Sequence, residues 1–165
     1  MATTYEAIQT TTLGTSATTI TFSSIPATYT DLRLVIVQVG TYQDLQIRLN
    51  GDTSTNYSMT AVDGTGSVAE SSSQSSVAQY DCSGGTAGTS GISYPLFSTI
   101  DFFSYTGSTY KTMLSTKSLD KNGSGVTVRT VGLWRSTAAI TSVLLMLNNA
   151  DNVGTTATLY GILAA

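Results

Sequence analysis

Ten carboxylates, nine tyrosines, one cysteine and no histidine are the chemically useful side chains of this 165-residue sequence. Without imidazole, the usual proton carrier at neutral pH is missing. Ser-His-Asp and Cys-His sites therefore lack their base, and histidine zinc sites lack their ligands. Cys82, in "DCSGG", has no second cysteine to pair with and reads as incidental. No GxxxxGK[ST] phosphate loop occurs, and "GTGSVA" fails the dinucleotide pattern at its last glycine.

Paired acids could still cleave a sugar bond. Most of the acids here stand beside turns or strand ends, where Asp caps backbone amides. Asp101 differs, because it lies in an apolar run between Ile100 and Phe102. It reads as a wet-face residue, or as one paired across strands with Arg129 or Arg135. "NGDTSTN", Asn50 to Asn56, has closely spaced oxygens that could meet calcium, but it lacks the EF-hand acids and glycine. A turn capped by its own Asp and Ser accounts for it. No catalytic, cofactor-binding or metal-binding residue is assigned, and the chain is expected not to be an enzyme. The tyrosines offer rings for an interface or for stacking on sugars. Tyr42, Tyr57, Tyr80 and Tyr94 are the candidates for such interface or glycan contact.

Those side chains need a scaffold, and the pattern of the rest supplies one. The chain is 41% hydrophobic and only 10% charged, with a net charge of −3. The seven basic residues are scattered and read as solvated single charges, which leaves no footprint for nucleic acid. The opening "MATTYEAIQTTTLG" lacks the layout of a signal peptide, and no apolar run nears the ~18 residues of a membrane span.

Helical spacing is scarce, while Thr, Val, Ile and Tyr are abundant. "DLQIRLN" alternates, with Leu45, Ile47 and Leu49 opposite Gln46, Arg48 and Asn50. In "ATTITF", Ile20 and Phe22 share a face. "LRLVIVQV" is apolar on both parities and predicts a central strand covered on both sides. "LFSTIDFFSY" and "VTVRTVGLW" read similarly, and "VLLMLN" predicts a buried strand. "LDKNGSGV" predicts a hairpin of the Asn-Gly kind. The expected fold is all-β: one antiparallel β-sandwich domain over 1–165, jelly-roll-like, with long Ser/Gly-rich surface loops across 63–95. A short strand at "SVAQY" is the one interruption expected there.

The stretch "YEAIQTTTLGTSATTITFSSIPATYTDLRL", with "LQIRLNGDTSTNYS" and the closing "LYGI", resembles small virion-associated proteins of tailed bacteriophages. The resemblance covers both ends of the chain and stops at the Ser/Gly middle and at 96 to 150. It implies a β-sandwich module of a capsid surface or a tail fibre, often trimeric, and it carries over no catalytic residues. The expected role is a non-enzymatic virion structural protein, foremost a capsid-decoration (cement) protein. A tail-fibre module or receptor- or glycan-binding tip is the alternative. Its expected partners are further copies of itself in a homotrimer, the major capsid protein or other virion proteins, and host glycan for the alternative. Neither nucleic acid nor a membrane is expected as a partner, and the virion, assembled in the bacterial cytoplasm, is the expected location. Low charge fits crowding of many copies, since it limits self-repulsion.

Overall fold

Alternating burial is what the sequence writes most clearly, and the computed structural model follows it through twelve strands. The structure describes residues 4–40, 44–84, 94–147 and 152–163. In chain order the strands are β1 (Tyr5–Thr12), β2 (Thr19–Phe22), β3 (Asp31–Gln38), β4 (Leu45–Leu49), β5 (Tyr57–Gly64) and β6 (Ala69–Val77). They continue as β7 (Tyr80–Asp81), β8 (Leu96–Phe102), β9 (Lys111–Leu119), β10 (Val126–Trp134), β11 (Val143–Leu147) and β12 (Thr156–Ile162). No helix of the described residues is long and apolar enough to cross a membrane.

The strands form two antiparallel sheets packed as a sandwich. The larger has the order β1-β12-β3-β8-β9-β10-β5-β6 and the smaller β2-β11-β4-β7. Ile20 and Phe22 are both buried, as are Leu45, Ile47 and Leu49, so these faces lie where the alternation put them. Leu32, Leu34 and Ile36 of β3 join Ile100, Met113, Val128 and Leu159 in the core between the sheets. Each such side chain contributes roughly 1.5–3 kcal/mol on leaving water.

Three expectations need correction. β3 is central in its sheet, but it is covered on one side only, and so are β8 and β10, which were expected to be similar. Val37, Phe97 and Val131 on their other parity are exposed, because among the described residues no layer lies over the outer face of the large sheet. Within the stretch read as loops, Ala69–Val77 is a strand, held by the full length of β5. The short strand expected at "SVAQY" is split between the end of β6 and β7. Residues 85–93 of the same stretch lie outside the described residues. The hairpin at Asn122-Gly123 does join β9 to β10. Both residues have positive φ, 57° and 86°, but they sit within a six-residue connection, Asp120 to Gly125, rather than a two-residue turn.

Both lateral edges are corners. β1 ends beside β12 and the chain passes to β2 of the small sheet, while β6 ends beside β5 and passes to β7. The two ends of the sandwich differ. At one end run the connections β1–β2, β3–β4, β5–β6, β7–β8, β9–β10 and β11–β12. At the other run β2–β3, β4–β5, β6–β7, β8–β9 and β10–β11.

Candidate interaction surface

The four tyrosines singled out from the sequence do not converge. Tyr57 and Tyr80 are 0% exposed, which removes both as surface contacts. Tyr57 stacks on Trp134 with centroids 6.3 Å apart, and its hydroxyl accepts from the Leu49 amide at 2.9 Å. Burial pushes its phenol up to about 12. Tyr80 crosses from the small sheet to the large one. Its hydroxyl lies 2.8 Å from Ser115 Oγ and donates to the Thr130 carbonyl at 3.0 Å. Its ring occupies the space over Gly132, where any Cβ would collide with it. The glycine inside a strand rich in Val and Thr was the one signal in the sequence for this close approach. Tyr94 is exposed beside β8, and Tyr42 lies outside the described residues.

The acids are mostly committed to structure. Asp101 is on the outer face, bound bidentately by Arg33 at 2.6 and 2.9 Å rather than by Arg129 or Arg135. The reason is register: Arg33 of β3 stands directly opposite Asp101 of β8. In the Asn50–Asn56 turn, Asp52 accepts from Trp134 Nε1 at 2.8 Å, Asn56 Nδ2 at 3.0 Å and the Ser54 amide at 2.8 Å. Burial raises the Asp52 carboxyl, but those donors together outweigh it and bring the group down to about 2. Asn50 Oδ1 accepts from the amides of Thr141 and Ser142. The Asp52 carboxylate and the Asn50 side-chain oxygen are thus engaged by the chain itself.

Two of the seven basic residues are not the solvated charges the sequence implied. Lys111 and Lys117 are each 1% exposed. Lys111 Nζ donates to the carbonyls of Gly107 at 2.5 Å, Thr109 at 2.6 Å and Thr137 at 3.5 Å, an ammonium used to close two loops. Lys117 lies on the inner face of β9 near Asp44, Asp81 and Cys82. Burial lowers its ammonium, and the neighbouring acids oppose that shift. Burial also holds the Cys82 thiol well above its ordinary range, so the thiolate is suppressed. Among the described residues no group of three or more His, Cys, Asp or Glu side chains is arranged to hold a metal.

What remains open is the outer face of the large sheet. Across β9, β10 and β5 it presents Leu114, Val131, Thr60, Leu133 and Val62 as neighbours in register. Val62 is 57% exposed and Val131 46% exposed, in a shallow trough bounded by Arg129 and Ser71. The trough continues past Thr112 and Leu133 to Ser73 and Ser75 of β6. Val37 and Phe97, also cross-strand partners, add exposed apolar surface towards one end of the same face. Its charge is confined to the Arg33–Asp101 pair, Asp31 and Arg129. A broad sheet face with this balance can bind by shape and apolar contact.

No protein-family model, no curated protein and no solved structure matches the chain.

Proposed function

We propose that this chain is a non-enzymatic structural protein of a tailed-phage virion, a capsid-decoration protein that works through protein contacts. The observation that carries the proposal is the open outer face of the large sheet, with Val62, Leu114 and Val131 set among Thr and Ser and almost no charge. Exposed apolar surface of that kind marks a contact site. The sequence resemblance to virion-associated proteins supplies the setting, and a homotrimer docked on the major capsid protein is the assembly proposed, in virions built in the bacterial cytoplasm.

The strand order supports a finer reading of the fold as a jelly roll with two inserted hairpins. β1-β12-β3-β8 and β2-β11-β4-β7 follow the order of the two four-stranded sheets of that fold. β5–β6 and β9–β10 are then insertions that widen one sheet, and the apolar trough lies on them. A receptor- or glycan-binding tip is a weaker reading, because Tyr57 and Tyr80 are inside the molecule.

Quantitative mass spectrometry of particles purified from the encoding phage tests the role. Copy numbers comparable with those of the major capsid protein are expected. A few copies per particle, or none, would remove decoration. A Val131→Glu variant that folds normally should lose incorporation into particles, whereas Tyr94→Ala should not.

A further inference from the structure

Asp63 is the acid whose surroundings the fold does not explain. It is 3% exposed, and neither carboxylate oxygen has a hydrogen-bond partner. Buried carboxylates are ordinarily paired or bonded, because an isolated one loses its hydration without return. Asp63 lies on the inner face of β5, and its direct cross-strand partner on β6 is Glu70. Directly opposed residues have Cβ atoms about 4.5–5.5 Å apart, and like charges so placed repel. Ser72, the next residue of β6 on that face, has a buried hydroxyl that is also without a partner. One small region thus holds two unpaired acids and an unpaired hydroxyl.

No basic side chain of the described residues compensates this charge. Arg129 is adjacent in register to Val62, so it belongs to the opposite face. Lys117 shares the inner-face row, but Val128 of β10 stands between it and Asp63, which puts two strand spacings, about 10 Å, between them. Gly84 passes over Ala61 and Val128 beside the cluster and contributes no charge.

We propose that Asp63, Glu70 and Ser72 form a binding site for a hard divalent cation of the calcium type. All three donors are oxygens, the donor class that calcium takes, and two carboxylates neutralise one divalent charge. Calcium accepts irregular sets of six to eight oxygens and completes them with water, which suits three unlike donors better than the strict octahedron of magnesium. With only two acids the affinity should be modest, a dissociation constant on the order of 0.1–1 mM. The site owes nothing to the proposed virion role and stands or falls separately from it.

The test is thermal unfolding of the chelator-stripped full chain against calcium chloride. For the wild type, calcium near a hundred times its dissociation constant should raise Tm by roughly 5–10 °C, saturably. Asp63→Asn should remove that rise, and in metal-free buffer it should melt above the wild type, since it deletes an uncompensated buried charge. Glu70→Gln alters an exposed side chain, so it should fold normally and weaken calcium binding about tenfold or more. Absence of a saturable rise in the wild type would overturn the site, as would an equal rise in wild type and both variants.

Discussion

The braced loops of the sandwich and its β5–β6 and β9–β10 turns are held by different means. At the end that carries β4–β5, β8–β9 and β10–β11, polar side chains reach from one connection to the next. Asp52 ties the β4–β5 turn to Trp134, Asn50 ties it to Thr141 and Ser142, and Lys111 gathers carbonyls from the β8–β9 and β10–β11 loops. The Tyr105 hydroxyl donates to the Pro26 carbonyl and accepts from the Tyr29 amide, and Asp31 accepts from the Ser104 amide. At the opposite end Asn152 and Thr155 also brace neighbours, bonding to Ala17 and to Val39, whereas the β5–β6 and β9–β10 turns are closed within themselves: Thr65 bonds to Val68, and Asp120 to Gly123. Cross-bracing makes loops part of the cooperative fold, whereas self-contained turns can change without disturbing their neighbours. The difference teaches that polar braces hold connections together at both ends, while the β5–β6 and β9–β10 turns rely on their own side chains.

The comparison breaks most readily at the tyrosines. Tyr57→Ala should cost about 3–5 kcal/mol, because it empties a space beside Trp134 and orphans the Leu49 amide. Tyr94→Ala, on the opposite end and half exposed, should cost less than about 0.5 kcal/mol. Urea denaturation of both variants checks the pair; equal losses would mean that the Tyr57 stack and its bond to Leu49 add nothing to the brace. Next in size is Lys111→Met. It keeps the length of the stem but leaves the carbonyls of Gly107 and Thr109 without their donor. A loss of about 2–3 kcal/mol is expected in the same assay.

Much of this architecture was legible in the sequence, and the illegible part has a physical pattern. "DLQIRLN" announced its strand because one face is buried and the other wet. β6 did not: its Ser-rich residues are largely exposed on both faces, so no period of two appears. Tyr80 was hidden in the same polar stretch, although Gly132 marked the place its ring needs. Asp101 was recognisable as a residue in search of a cation. Its partner was not, because strand order, not sequence distance, puts Arg33 opposite it. Lys111 and Lys117 looked like ordinary surface charges, since nothing in a lone lysine between β residues tells that loops or a second sheet will close over it.

Asp52 offers a gentler way to sharpen the contrast. Its carboxyl titrates at about 2 in the folded chain, below the ordinary 3.8. A folded value below the unfolded one means stability that is complete above about pH 4 and is lost as pH falls through about 2. Wild-type melts between those values should show this decline. Asp52→Asn should start lower, by about 1 kcal/mol, and lack this part of the slope. Identical slopes for the two proteins would show that the three donors do not favour the charged form.

The smallest effect belongs at the other end. Inserting two glycines after Gly123 lengthens a turn that is held chiefly by Asp120 and, among the described residues, shares no hydrogen bond with another loop. Loop closure rises only as the logarithm of length, so the loss should stay within about 1 kcal/mol. The same insertion after Asp52 would separate Asn56 and Ser54 from the carboxylate that binds them, and with it the anchor of Trp134. Two insertions of equal length and equal chemistry then report only on how each turn is connected. If both are tolerated alike, cross-bracing is not what holds the braced end, and the buried aromatic stack of Tyr57 on Trp134 alone carries it.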